Sequence, residues 1–178
     1  TEVNALEVDI DGLSQSIMDL EILYAKAAGI DYWAFDWYPS ENNKLAVARQ
    51  LYLSSSYKNE VNWCVVLSDQ FKISLHLSEL IDQFQASNYQ KVDGGRPLVY
   101  LLISSSPVLK GQIQIIRDEA MDAGLPDPYI VALGAPSSAG EASALGADAI
   151  GSYSYPGTNV RDGIPYAQLA GWEQLQWD

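Results

Sequence analysis

The sequence predicts an α/β domain built around a parallel β-sheet. Amphipathic helical stripes alternate along the whole chain with short, nearly continuous apolar runs, the pattern of strands buried within a layered fold. The joints from helix to strand also resemble one another. Ala28-Gly29-Ile30-Asp31, Ala123-Gly124-Leu125-Pro126 and Leu145-Gly146-Ala147-Asp148 each place glycine at the helix end and an apolar residue after it, a weak internal repeat of one βα unit.

Residues 14–28 read as a helix, with Ile17, Leu20, Tyr24 and Ala27 at the three- and four-residue spacing of a buried stripe. The aromatic run 31–38 reads as a strand closed by Pro39. A helix over 44–58 and a strand over 61–68 follow. Residues 78–87 form a short helix with Leu77, Leu80, Ile81 and Phe84 on one face, and 96–104 a continuous apolar strand. Ser106 caps a helix with Pro107 at its first position; Ile113, Ile116 and Ala120 face inward, and Gly124 ends it. A strand over 129–133 follows. Ser138 and Glu141 make a capping box for a short helix ending at Gly146, and residues 147–155 form a fifth strand before a last helix over 165–177.

Two architectures fit these elements: an open, doubly wound parallel sheet, or a (β/α)8 TIM-type barrel. A complete barrel takes ~200 residues or more. The chain has 178 residues and shows about five βα units, so the barrel reading needs further sequence, on this polypeptide or on a second one that completes it. In that reading residues 1–178 are a single catalytic-type domain, the N-terminal portion of the larger barrel. A start at Thr1 rather than methionine fits a processed product or a fragment.

Ten basic against 23 acidic residues leave a net charge of −13, which disfavours nucleic acid and anionic membranes as partners and favours solubility. No apolar run reaches the ~18 residues of a membrane span, and no signal peptide is visible. The one cysteine, Cys64, rules out an internal disulfide and a cysteine-based zinc cluster, and its β-branched apolar surroundings predict a buried, inert thiol. The one histidine, His76, rules out a multi-histidine metal site. Dinucleotide-binding, Walker, nucleophile-elbow and H-E-x-x-H motifs do not occur, so no cofactor and no metal is expected.

Function in parallel α/β folds gathers at the carboxyl ends of the strands. There the sequence places Asp36, Trp37 and Tyr38; Ser68 and Asp69; Ser104–Ser106; Gly134 and Ala135; and Tyr153 and Tyr155. Aromatic faces stack on the C–H faces of sugars while carboxylates and hydroxyls bond sugar hydroxyls, so this rim predicts a carbohydrate ligand. Asp36, a carboxylate inside an apolar strand, either meets that ligand or is held in a salt bridge or strand-end cap. Strand alternation puts Tyr32, Ala34, Asp36 and Tyr38 on one face and Trp33, Phe35 and Trp37 on the other, where packing is the plain role. Sugar hydrolysis uses two carboxylates ~5–5.5 Å or ~6.5–9.5 Å apart. Asp36, the candidate catalytic residue, and Asp69 come from adjacent strand ends and are the candidate pair.

The stretch 25–38, Ala-Lys-Ala-Ala-Gly-Ile-Asp-Tyr-Trp-Ala-Phe-Asp-Trp-Tyr, resembles an early strand of bacterial proteins related to glycoside hydrolase family 99 and of the WbsX-like domains. Residues 89–92 leading to Gly95-Arg96-Pro97-Leu98-Val99-Tyr100, then Gly124-Leu125-Pro126-Asp127-Pro128-Tyr129, then Gly146-Ala147-Asp148 with 149–153, are similar to that family in the same order. The resemblance implies a (β/α)8 barrel acting on α-linked, mannose-containing glycans, a secreted or periplasmic setting, and strand-end positions at Asp36, Tyr38 and Tyr153 that line the cleft. The family's aromatic–Asn–Glu-type strand end with a second acid does not occur in this chain, and Glu173 falls on a predicted helix, so the resemblance carries over no catalytic residue. A non-catalytic carbohydrate-binding relative, and a flavodoxin-like open-sheet interaction domain, are the competing readings.

Overall fold

The computed structural model describes residues 2–4, 7–8, 13–38, 44–68, 72–102, 107–134, 139–152, 165–168 and 170–171. A small antiparallel pair, β1 (Glu2–Asn4) with β2 (Glu7–Val8), precedes the main body. The order then runs α1 (Gln15–Ala27), β3 (Tyr32–Asp36), a 3-10 turn at Lys44–Ala46, α2 (Val47–Ser54), β4 (Asn62–Leu67), α3 (Ile73–Phe84), β5 (Lys91–Val92), β6 (Arg96–Leu102), α4 (Pro107–Asp122), β7 (Tyr129–Gly134), α5 (Ala139–Leu145) and β8 (Ala149–Ser152). Residues 166–168 and 170–171 are helical, within the last expected helix.

The protein is α/β, and its described residues form a six-stranded sheet beside the small β1–β2 pair. Five strands are parallel in the order β3-β4-β6-β7-β8, and β5 joins β6 antiparallel. The open parallel sheet is therefore the architecture of the described residues; closure into a barrel is not part of it. The order is sequential, whereas a doubly wound sheet reverses at a switch point. Parallel crossovers are right-handed in nearly all cases, so a sequential order winds successive helices onto one face. The helix pairs agree: α1 packs on α2, α3 on α4, and α4 on α5.

Register separates the two faces of the sheet. Trp33, Phe35, Trp63, Val65 and Val99 share the helix-covered face. Tyr52 of α2 meets Trp33, Phe35 and Trp63 there at ring-centroid distances of 5.9, 5.3 and 6.2 Å. Its hydroxyl donates to the Lys58 and Val61 carbonyls, which ties the α2–β4 loop to the core. Opposite lie Tyr32, Ala34 and Asp36, then Cys64 and Val66, Tyr100, and Val131 and Leu133. Gly151 of β8 also faces this side, where a Cβ would come within 2.9 Å of a Leu133 methyl. Both packing expectations for Trp33 and Phe35 hold in this register.

The glycine joints form as expected: Gly29, Gly124 and Gly146 have φ of 76°, 75° and 81°, the left-handed conformation that stops each helix and turns the chain toward the next strand. Ser14 caps α1 by accepting from the Ile17 amide. Ser106 and Ser138 lie outside the described residues. Two expectations shift. The buried side of α1 is Met18, Ile22 and Ala25, while Leu20 and Tyr24 are 45% and 70% exposed. This helix is apolar over most of its circumference, so periodicity alone does not choose the inward stripe. Polar anchors do: Gln15 donates to the Leu51 carbonyl, and Ser55 donates to Asp19, which rolls the Met18–Ile22 side onto α2. Helix α3 begins at Ile73, five residues before the Ser78 start signal, because Leu75, His76 and Leu77 continue the helix and outweigh a lone serine.

Candidate functional site

A cavity of about 560 Å³ lies at the carboxyl ends of the strands. Ala34, Asp36, Val66, Tyr100 and Leu133 reach it from four strands, all on the sheet face opposite the Tyr52 aromatic pack. Phe35 and Tyr38 add the end of β3, and Leu45, Ala48 and Arg49 close one side from the 3-10 turn and α2. The wall is largely apolar with a few convergent polar groups, the usual make-up of a small-molecule site. A second cavity of about 410 Å³ sits at the opposite strand ends, beside Asp31, Tyr32 and Asn62, where polar groups bond one another, as Asn62 does to Gln90 and Lys26 to Glu60.

The candidate residues from the sequence fall as follows. Asp36 ends β3, is half-buried and lines the cavity. Tyr38 is half-buried and also lines it. Trp37, expected to touch a ligand, is instead 1% exposed, with its amide donating to the Val66 carbonyl at 2.9 Å. Alternation explains this, since Trp37 faces away from Asp36 and Tyr38. Ser68 follows β4 and is half-buried. Asp69, Tyr153 and Tyr155 lie outside the described residues, and so does the separation of the Asp36–Asp69 pair.

Arg49 and Tyr100 join the site without having been expected there. Arg49 is 3% exposed. Its guanidinium lies 3.9 Å above the Trp37 ring, and Nη2 donates to the Tyr38 carbonyl at 3.1 Å. Burial pulls its pKa down, and the Glu79 carboxylate pushes it partly back. The sequence held one signal for it: Arg49 precedes the inward Tyr52 by three positions, so both occupy one helix face. In the sequence Tyr100 stands only as part of an apolar strand. Its hydroxyl shares a 2.6 Å hydrogen bond with that of Tyr32, and burial, then Tyr32, raise its pKa, so it stays protonated and can donate. His76 reaches the same end of the sheet from α3, its ring 6.0 Å from Trp37 and its Nδ1 3.8 Å from Glu79.

Among the described residues no cluster of histidine, cysteine and carboxylate side chains is arranged to hold a metal ion, and no helix is long and apolar enough to cross a membrane. Cys64 is fully buried, and burial pushes its thiol up to about 12, so the thiolate that would make it a nucleophile is absent at neutral pH. Native protein is therefore expected to resist iodoacetamide at pH 8 and to be alkylated at Cys64 once unfolded in guanidinium chloride. Rapid labelling of the folded chain, read by intact mass, contradicts this.

Comparison with protein-family models and with curated protein sequences finds no match to this chain.

Proposed function

We propose that this chain is part of a glycoside-hydrolase-like (β/α)8 barrel that binds α-linked glycans, mannose-containing ones first among them, in the cavity at the carboxyl ends of its strands. The observation that carries the proposal is the cavity itself: one carboxylate, Asp36, and the tyrosines Tyr38 and Tyr100 stand among apolar walls at the end of a parallel sheet where such folds place their ligands. The ordered resemblance to family 99 relatives supports the same reading. Three features support a barrel as the parent architecture. The strand order is sequential. The sheet face away from the Tyr52 pack carries Ala34, Cys64, Val66, Val131 and Leu133 around Tyr32, Asp36 and Tyr100, apolar with a few polar groups, as the mouth of a barrel is. The apolar stripe of α1 is exposed in the way that a further βα unit would cover.

Asp36 is the one carboxylate among the described residues that line the cavity. Hydrolysis uses two. That favours sugar binding as what these residues do by themselves, with catalysis dependent on a second acid such as Asp69. Asp36→Asn is expected to weaken binding of α-linked manno-oligosaccharides by roughly tenfold to a hundredfold, the loss of one hydrogen bond to a charged acceptor, measured by isothermal titration calorimetry. If the full-length protein cleaves such a substrate, unchanged turnover in Asp36→Asn removes Asp36 from the chemistry. If wild-type protein binds no sugar, the proposal fails.

A further inference from the structure

We propose that Arg49 forms an oxyanion-binding subsite in the wall of the strand-end cavity, taking a carboxylate or a phosphate-type group of the ligand. Arg96, Arg117 and Arg49 all sit in the body of the fold, and their surroundings differ. The guanidinium of Arg96 bonds Asp148, Asp93 and Asp127, and that of Arg117 bonds Asp127, Asp148 and the Gly146 carbonyl. Among the described residues the guanidinium of Arg49 bonds one neutral acceptor, the Tyr38 carbonyl, and the Glu79 carboxylate acts on it through space without an ion pair. Among the described residues its Nη1 is buried without an acceptor, and no carboxylate lies within ion-pair distance of it.

An arginine does not shed its proton in a protein, so the charge remains, and a buried charge is costly until it is paired. The planar fork of a guanidinium fits a carboxylate or a phosphate with two parallel N–H donors. The Trp37 ring lies 3.9 Å from the guanidinium carbon and the Tyr38 carbonyl holds one arm, so the fork is held in place before any ligand arrives. The net charge of −13 repels anions at long range and is screened within roughly 10 Å at physiological salt, so the attraction is confined to the cavity. Asp36, which lines the same cavity from the sheet side, disfavours a ligand that is anionic throughout. The arrangement suits one with a single acidic group at the Arg49 side and hydroxyls toward Asp36. This builds on the glycan reading of the cavity and narrows it to acidic sugars.

The test uses the whole chain and starts with small anions. Thermal unfolding is followed in sodium acetate, sodium phosphate and sodium chloride at equal ionic strength. Glucuronate, glucose 6-phosphate and glucose are then titrated by calorimetry. Acetate or phosphate is expected to raise the melting temperature saturably over chloride, and the matching acidic sugar to bind roughly tenfold to a hundredfold tighter than glucose. The acetate and phosphate arms decide between a planar and a tetrahedral group. Arg49→Met is expected to abolish the anion effect and Arg49→Lys to weaken it, while Lys91→Gln, on the exposed β5, keeps it. Should the Arg49 variants not fold, the shift of the Trp37 indole N–H resonance on titration of acetate and phosphate into wild-type protein gives the answer at the same spot. Anion binding that depends on Arg49, with no binding of these sugars or of α-linked manno-oligosaccharides, sustains the subsite and overturns the glycan reading. Glucose binding with no preference for an acidic sugar and no anion effect overturns the subsite and leaves the glycan reading standing. No response to any anion overturns the subsite.

Discussion

Replacing Trp63 with alanine is expected to destabilise the fold by about 3–5 kcal/mol, a fall in Tm on the order of 10 °C for a chain of this size. Trp63 is 1% exposed at the middle of the helix-covered face. Its ring meets Tyr52 of α2 and, at 5.2 Å, Tyr89, which in turn meets Phe84 of α3 at 5.2 Å. One side chain thus fills the space between two helices and the sheet, and no neighbour can collapse into its place without giving up a partner. Its main chain binds the same region, accepting from the Gln90 amide at 2.7 Å and donating to the Asn88 carbonyl. Those bonds survive truncation, so the loss reads packing alone. Trp63→Phe separates volume from polarity. The indole Nε1 is buried without an acceptor among the described residues, so phenylalanine loses area but also removes an orphan donor worth about 1–3 kcal/mol when left unmade. Chemical denaturation is expected to show the phenylalanine variant far closer to wild type than the alanine variant. Equal losses in the two would mean that Nε1 finds a partner and that the cavity left behind is not the dominant cost.

How far the sequence speaks for the structure depends on which force decides each feature. Local chemistry decided the helix ends, and the glycines at 29, 124 and 146 sit where the joints predicted. Hydrophobic periodicity decided the inward sides of α3 and α4, where Leu80, Phe84, Ile113 and Ile116 are buried. It did not decide the roll of α1, because Ile17, Met18, Leu20 and Ile22 make two adjacent stripes equally apolar. That choice is made by hydrogen bonds to residues 36 positions away, which no local pattern records. The site follows the same division. Asp36 and Tyr38 were legible because strand alternation and the strand-end rule both act along a short segment. Arg49 was not, because its role arises only when α2 lays it over Trp37. Strand order was beyond the sequence as well, since the same alternation of elements serves a sequential and a reversed sheet.

Away from the cavity, charged side chains from separate segments of the chain meet at one place. Arg96, Asp127 and Asp148 come from three separate stretches and converge at the amino ends of β6, β7 and β8. Arg117 of α4 joins them through Asp127 and Asp148. In barrel-type folds this end governs stability, whereas function gathers at the carboxyl ends. These four side chains lock strand register at the end of the sheet away from the cavity.

That lock gives the second large effect. Asp148 accepts from Arg96 and Arg117 at 2.7 Å each and from the Ile130 amide at 2.9 Å, with its side chain 19% exposed. Asp148→Ala is expected to destabilise by on the order of 3 kcal/mol, because it removes three acceptor contacts and leaves two guanidiniums short of charge. Asp148→Asn keeps an acceptor for the Ile130 amide but not the charge, so it should lie between the two. Acidity supplies the sharper check. Burial works to raise the Asp148 carboxyl, but the Ile130 amide and then the Arg96 and Arg117 guanidiniums outweigh it and hold the group below the ordinary 3.8. A carboxyl with a depressed folded pKa binds fewer protons in the native state than in the unfolded one. Its stabilisation is complete above 3.8 and is lost as pH falls through the lower folded value. The gap in unfolding free energy between wild type and Asp148→Asn, measured with urea from pH 7 to pH 2.5, is therefore expected to stay constant down to about pH 4.5 and to close below it. A gap that persists unchanged to pH 2.5 would place the contribution of Asp148 in shape and neutral hydrogen bonding rather than in charge, and the two arginines would then owe their order to Asp127 and the surrounding carbonyls.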